Sequence, residues 1–320
     1  MQGLLVVFRK ELSDAFTGKR FLILFPLIFL AGILSAWSAA GSIGPILTNN
    51  GASISGTIPF VFLKLFTASN GVLPSFKTFI IILLPIMGIA LGFDSVNREK
   101  GSGTMSRLLA QPIYRDAVIN GKFLAGVVTI AIMMASIVLI VSGIGVRQIG
   151  VVPSSEEAAR IFAFLIVSII YGAFWLGLAM LFSILLERPA TSAMASIAVW
   201  IFFAFFMQMI ATGIANFMVP VPEGTSNYTL LIKNIDTELT LNRLSPIGLF
   251  NEAGLFLLEP FARSLRVIPP AVANWMVENP ISMAQSMLVI WPHLVGIVAL
   301  TAICFAGSYV KFMREEIRST

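Results

Sequence analysis

The charged side chains that could do chemistry concentrate in one segment, residues 94–122 (DSVNREKGSGTMSRLLAQPIYRDAVINGK), between two long apolar stretches. Its excess of cations over carboxylates suits binding to a partner or to lipid headgroups. The chain has one cysteine, Cys304, and one histidine, His293, which excludes an internal disulfide, a Cys/His zinc cluster and a multi-histidine site. We therefore predict no catalytic, cofactor-binding or metal-binding residue in this chain.

The sequence also lacks the loop that cradles nucleotide phosphates. No G-x-x-x-x-G-K-[ST] pattern occurs, and Gly121–Lys122 is followed by Phe123 rather than by Ser or Thr. The chain therefore cannot hold ATP by the backbone amides of such a loop. If ATP drives this protein, we predict that its hydrolysis takes place on another polypeptide.

Local signals predict a short helix inside the charged segment. The glycines of GSG at 101–103 break the chain, and Thr104 can cap a new helix by accepting a hydrogen bond from a first-turn amide. Pro112 ends that helix, since proline has no N–H and disfavours helix at the residue before it. We predict a helix of about two turns that offers Arg107 to a partner. A solvated loop without a partner is the alternative.

The composition predicts a membrane protein. Hydrophobic residues make up 57% of the 320-residue chain, charged residues 12%, and the mean hydropathy is +0.91. Such a chain has too little polar surface to cover itself in water. The net charge of +5 does not indicate nucleic acid, because the basic residues cluster beside apolar spans. Lipid headgroups and a cytosolic partner explain them better.

Apolar runs long enough to cross about 30 Å of hydrocarbon occur six times. We predict an all-α polytopic membrane protein, a single domain over 1–320, with two outer loops and one helical outer loop. The spans are expected near residues 21–40, 75–93, 117–145, 159–186, 190–218 and 287–312.

Two segments outside the spans are predicted to be helical. In residues 1–20, Leu5, Phe8, Leu12 and Phe16 recur at three- and four-residue spacing, which indicates an amphipathic helix lying flat at the inner membrane surface. Its charges interrupt the apolar residues, unlike those of a signal peptide. Residues 219–286 contain many prolines, so we predict short helices packed on the outer mouth of the protein.

The distribution of Lys and Arg predicts the orientation. Four lie in residues 1–20, five in the charged segment, one in the turn between spans four and five, and three after span six. Positive residues mark cytoplasmic segments. We expect a multi-pass plasma-membrane protein with both termini in the cytoplasm and segment 94–116 as a cytosolic loop. A count of five or seven spans stays open, because 219–286 could re-enter the membrane.

Few polar residues stand inside the spans. Gln208 and Asn216 on span five could line a path, although hydrogen bonding between helices is the more ordinary role. His293 near the outer end of span six is interpreted as structural and without a partner. Midplane ionisable residues and inverted repeats, which a secondary carrier usually needs, are not evident.

The charged segment resembles the intracellular loop of type-two ABC exporter permeases. The resemblance rests on Arg98, Glu99, Gly103, Thr104, Arg107, Leu108, Leu109, Pro112 and Arg115, followed by Gly121–Lys122. In that family the loop carries a coupling helix that docks on a separate nucleotide-binding subunit. The GSG stretch is one residue longer than the usual acidic-x-Gly-Thr spacing.

The resemblance implies an export permease subunit that is not itself an enzyme. ATP and Mg would be bound by the partner ATPase, and a second permease, identical or different, would complete the transporter. A secondary carrier and a membrane scaffold without transport remain alternatives. The start RKELSD and the loop look most like permeases of the copper-enzyme maturation type. The resemblance does not choose among drugs, peptides, lipids, sodium or service to an external metalloenzyme.

Overall fold

The computed structural model describes residues 2–49, 59–105, 113–222, 227–262 and 280–314. These residues form helices and contain no strand. In chain order the helices are α1 (Gln2–Thr17), α2 (Lys19–Asn49), α3 (Lys64–Thr67), α4 (Phe76–Gly92), α5 (Asn97–Gly101), α6 (Arg115–Ile149), α7 (Ser155–Leu185), α8 (Pro189–Ile201), α9 (Met207–Met218), α10 (Tyr228–Asn242), α11 (Pro246–Leu258) and α12 (Met283–Arg314).

The predicted all-α membrane fold is confirmed. Six helical stretches are long and apolar enough to cross a membrane, and they fall where the apolar runs of the sequence placed them. Spans one to four are carried by α2, α4, α6 and α7. Span five joins α8 and α9 through a π-helical segment, Phe202–Phe206, and span six is α12. The spans begin or end a few residues beyond the predicted limits, because polar residues extend the helices past their apolar runs.

Helix α7 is the centre of the bundle, since α4, α6, α11 and α12 all pack on it. Two glycines of α4 allow its backbone to approach the backbone of α7 closely. A Cβ on Gly88 would lie 2.9 Å from the carbonyl oxygen of Gly172, and one on Gly92 would lie 2.8 Å from that of Leu176. Glycine is therefore required at both positions, as in the small-residue contacts of other membrane helices.

The start of α7 is fixed by polar contacts. Ser154 and Glu157 form a capping box, in which the serine hydroxyl accepts from the Glu157 amide and the carboxylate accepts from the Ser154 amide. Glu157 also accepts a hydrogen bond from the backbone amide of Phe62 at 2.9 Å. These bonds tie span four to the segment before span two.

Arg160 is fully buried one turn further along α7. Its guanidinium donates to the carbonyl oxygen of Leu257 at the C-terminal end of α11 (3.2 Å), to the Ser286 hydroxyl (3.1 Å) and to Glu156 (3.0 Å). A cation there satisfies carbonyl groups that a helix end leaves without partners. The side chain therefore clamps α7, α11 and α12 together.

Helix α1 is a separate helix that packs along α6. Its closest approach is at Val7, which is buried against Gly121. Leu5 of the predicted apolar stripe is 51% exposed, whereas the face towards α6 is centred on Val7 and Glu11. Packing against α6 determines which face of α1 is buried. The spacing of apolar residues along α1 does not reveal that neighbour. That α1 lies in the membrane interface stays a prediction.

The region predicted as short outer helices holds α10 and α11. These helices are confirmed, but they do not rest only on the outer ends of the spans. Helix α10 folds back along α9 until Asn242 contacts Gln208, ten residues before the end of α9. Helix α11 then runs beside α7, where Phe250 stacks on Tyr171 with ring centroids 4.3 Å apart. The two helices therefore form a hairpin that lies alongside the spans.

The close contact of α4 with α7 gives a stability prediction. Gly92→Ala places its Cβ against the α7 backbone, which cannot move aside as a flexible side chain could, so we expect a loss of about 1–3 kcal/mol. The measurement is the thermal unfolding midpoint of the detergent-solubilised protein.

Gly143→Ala in α6 is the matched control, because nothing lies within 4 Å of its added Cβ. It should leave the midpoint unchanged or raise it slightly. Equal midpoints for the two variants would contradict the required close approach.

Candidate functional site

The charged loop, which is the part of the charged segment from residue 94 to residue 116, begins with residues that are anchored on the end of α7. The Ser183 hydroxyl accepts hydrogen bonds from the backbone amides of Val96 (3.0 Å) and Asn97 (3.2 Å), at the start of α5. Ser183 is fully buried, and the side-chain amide of Asn97 donates to the carbonyl oxygen of Leu186 at 3.4 Å. A serine of span four therefore satisfies the first amides of α5. This contact fixes the position at which the charged loop follows span two.

Four charged side chains from three helices form an ion network beside this anchor: Lys10 and Glu11 of α1, Glu99 of α5 and Lys122 of α6. The Lys122 ammonium lies 2.8 Å from a Glu11 carboxylate oxygen and 3.0 Å from one of Glu99. Lys10 lies 3.0 Å from Glu11 and 3.1 Å from Glu99. The two lysines thus share the same two carboxylates.

The network is mostly withdrawn from water. The Lys122 side chain is 3% exposed, Glu99 14% and Glu11 19%, whereas Lys10 is 47% exposed. Burial alone would lower the pKa of Lys10, but the carboxylates of Glu11 and Glu99 outweigh it and raise that pKa to about 12. Burial would raise the pKa of Glu11, yet Lys122 and then Lys10 hold it below its usual value. Lys10 and Glu11 are therefore both charged near neutral pH.

The structure places five of the predicted coupling residues. Glu99 belongs to the ion network, and Arg98 lies 3.5 Å from Asp94 with a largely exposed side chain. Gly103 has a φ of +68°, which suits glycine, and the hydroxyl of exposed Thr104 contacts that of Ser102. Arg115 is the first residue of α6.

The remaining four, Arg107, Leu108, Leu109 and Pro112, lie outside the described residues, as does most of the predicted 104–111 helix. Only Thr104 and Met105 of that helix are described, and both are helical. The coupling role of all nine residues stays a prediction.

The two candidates for path lining join span five to the hairpin. The Gln208 side chain donates to Glu238 at 2.5 Å and accepts from Asn242 at 2.7 Å, and Asn216 accepts from Asn234 at 3.0 Å. These bonds agree with the expected role between helices. Neither side chain is buried, contrary to the expectation, because α9 leaves this face open beside α10. A role in lining a path stays a prediction.

A second charged cluster lies between the hairpin and span six. Glu252 of α11 is buried, with its carboxylate oxygens 2.6 and 2.8 Å from the Arg243 guanidinium and 2.8 Å from His293 Nε2. Burial would raise the pKa of Glu252, but the Arg243 guanidinium, which donates two hydrogen bonds to this carboxylate, and the neighbouring His293 ring lower it to about 2. His293 is therefore not the unpartnered histidine that its sequence position predicts. It pairs with a residue of the hairpin.

Sequence reasoning missed the partners in both clusters. Lys10 and Glu11 stand in an amphipathic helix in which charges are ordinary, and nothing in their spacing points to Lys122 over a hundred residues away. Glu252 gave a usable signal, because a lone carboxylate inside the apolar run IGLFNEAGLFLL requires a partner. In the described part of the chain, no three metal-ligating side chains are grouped to hold an ion.

The six apolar spans define a multi-pass membrane protein. A family profile described as ABC-2 family transporter protein matches residues 5–317, so the chain belongs to the ABC-2 family. It is 26% identical over 227 residues to a probable ABC transporter permease protein NosY of Stutzerimonas stutzeri, covering 70% of this chain and 73% of that protein. It is 27% identical over 205 residues to one of Pseudomonas aeruginosa, covering 63% and 66%.

The ion network predicts a large effect at Lys122. Lys122→Met leaves the carboxylates of Glu11 and Glu99 close together without their buried counter-ion, so we expect a loss of about 3 kcal/mol. The thermal unfolding midpoint in detergent is the readout. Lys64→Met, at an exposed position of α3, controls for loss of a lysine and should be nearly neutral. Similar midpoints in both variants would show that the network contributes no stability.

The Glu252 cluster predicts a dependence on pH. Because folding lowers the pKa of Glu252 from 4.5 to about 2, its stabilisation is complete above about pH 4.5 and is lost as the pH falls towards 2. The unfolding midpoint of Glu252→Gln should therefore lie below that of the wild type at pH 7, and the difference should shrink in acid. Glu187→Gln, at an exposed position, should match the wild type throughout. A difference for Glu252→Gln that is independent of pH would contradict the assignment.

Proposed function

We propose that this chain is the transmembrane subunit of an ABC exporter whose ATP is hydrolysed, with Mg, by a separate cytosolic nucleotide-binding subunit. A second permease, either another copy of this chain or a related one, completes the pathway. The chain itself performs no chemistry, in agreement with the absence of a phosphate-binding loop from its sequence. Membership of the ABC-2 family supports the proposal, and so does the name ABC transporter permease carried by its relatives.

The observation that carries the proposal is the way the charged loop is held. Its first part is capped by Ser183 of span four and bound through Glu99 to Lys10 and Lys122. A force applied to the loop from outside the membrane would therefore reach α1, α6 and α7 together. That is the requirement for a segment that receives movement from an ATPase and passes it to the spans.

The orientation follows from this role. With segment 94–116 in the cytosol, both termini are cytosolic and the α10–α11 hairpin faces the outside. Closure of the ATPases would push on residues 104–111, and the paired permeases would open the pathway outward. The resemblance in RKELSD and in the loop favours the copper-enzyme maturation type of exporter.

Arg107→Glu tests the proposal. Reversing a charge at a docking surface can cost several kcal/mol of association, whereas a surface substitution typically changes stability by about 0.5 kcal/mol. We expect co-purification of the ATPase and transport-linked hydrolysis to fall together, with membrane expression unchanged.

Arg147→Glu is the control, because Arg147 is exposed at the far end of α6, away from the loop. Arg160 would not serve as a control, because it is buried and clamps three helices. Wild-type levels of transport-linked ATP hydrolysis in Arg107→Glu would show that Arg107 does not contribute to the contact with the ATPase. The same result after Leu108, Leu109 and Arg115 are also replaced would overturn the coupling role of the loop.

A further inference from the structure

A cavity of about 450 Å³ opens beside the ion network, among α1, α2, α4, α6 and α7. Its size falls within the roughly 300–1,000 Å³ of small-molecule sites. Its interior is apolar, with Leu24, Met87, Leu91, Met133 and Met180 in its walls. Methionine side chains adapt their shape to flexible apolar groups. The interior therefore suits a hydrocarbon chain.

The mouth of the cavity is charged, with cations and carboxylates in equal number. The ion network contributes two of each, and Lys19, Arg98, Asp14 and Asp94 add two more of each. Within the described chain Lys19 forms no ion pair. The side chains of Arg98 and Asp14 are 67% and 58% exposed. Both signs of charge are thus available to a ligand at the entrance.

We propose that this cavity binds a zwitterionic aminophospholipid, such as phosphatidylethanolamine. Its phosphate lies against Lys19 and Arg98, its ammonium donates to Asp14, and one acyl chain follows the apolar wall. This ligand matches the charged entrance and the apolar interior at the same time.

The balance of charges favours this lipid over others. An anionic lipid would meet Lys19, but its uncompensated negative charge would also be repelled by Asp14, which is 58% exposed and 3.8 Å from Lys10. A choline headgroup has no N–H to donate to Asp14. It is usually held by several aromatic rings, and Phe21 is the sole aromatic residue among those that line the cavity.

The choice of leaflet rests on the proposed function, whereas the binding itself does not. With the charged loop in the cytosol, the cavity opens at the headgroup level of the inner leaflet. There the bound lipid would lie between α1 and spans one to four.

Native mass spectrometry of the full-length chain tests the proposal. The protein is reconstituted in nanodiscs containing equal amounts of phosphatidylethanolamine, phosphatidylglycerol and phosphatidylcholine, then released into detergent, and its retained lipids are weighed. We expect phosphatidylethanolamine adducts to exceed each other lipid at least fivefold. Lys19→Glu should bring that excess close to parity, and so should Ala90→Phe, which places a ring in the cavity.

Matched controls lie outside the cavity. Arg9→Glu reverses an exposed charge of α1, and Ala302→Phe adds a ring to an exposed position of α12, so both should retain the lipid as the wild type does. Asp14→Lys should shift the preference towards phosphatidylglycerol, because it replaces the acceptor of the ammonium with a second cation.

Three outcomes would overturn the proposal: no lipid in excess, a preference of the wild type for phosphatidylglycerol or phosphatidylcholine, or equal loss in the controls and the cavity variants. A different result would separate the two proposals. If the lipid is retained but labelling places residues 94–105 outside the cell, the lipid site stands and the proposed orientation is refuted. Failure of the lipid site and failure of the proposed function are therefore distinguishable.

Discussion

Burial of the Lys122 ammonium is the constraint around which one end of the bundle, the end that carries the charged loop, is arranged. A lysine that is almost wholly withdrawn from water requires acceptors. Here the acceptors are Glu11 of α1 and Glu99 of α5. The position of α1 and the path of the loop after span two are thereby determined together. Lys10 completes the network by binding the same two carboxylates.

The opposite end of the bundle depends on the same kind of interaction. Arg160 binds backbone carbonyl groups at the end of α11, and Glu252 joins α11 to Arg243 and His293. Between the two charged ends, α7 is held by apolar and glycine-mediated contacts with α4. The hairpin and the charged loop are thus attached to one central span at opposite ends. A rigid α7 could link movements on the two sides of the membrane.

Much of the fold could be predicted from the sequence. Long apolar runs identify six spans regardless of their partners, and Ser154 with Glu157 marks the start of α7 by local capping alone. The ion network was harder to predict from the sequence, because its ion pairs join residues far apart in the chain. The Glu11 carboxylate contacts a lysine 111 residues away, and no local pattern encodes that distance. The prolines of residues 219–286 predict short helices, but the packing of α11 along α7 could not be predicted, since apolar content does not show which neighbours will cover a helix.

The central claim is that the ion network makes α1 and the charged loop move as one unit with the ATPase. A double-mutant cycle on Glu11→Gln and Lys122→Gln tests it most directly, with substrate-stimulated ATP hydrolysis by the assembled transporter as the readout. If the two side chains act through each other, the double variant should lose little more stimulation than the worse single variant, which corresponds to an interaction energy of about 0.5–3 kcal/mol. Losses that simply add, or single variants that couple as well as the wild type, would contradict the account.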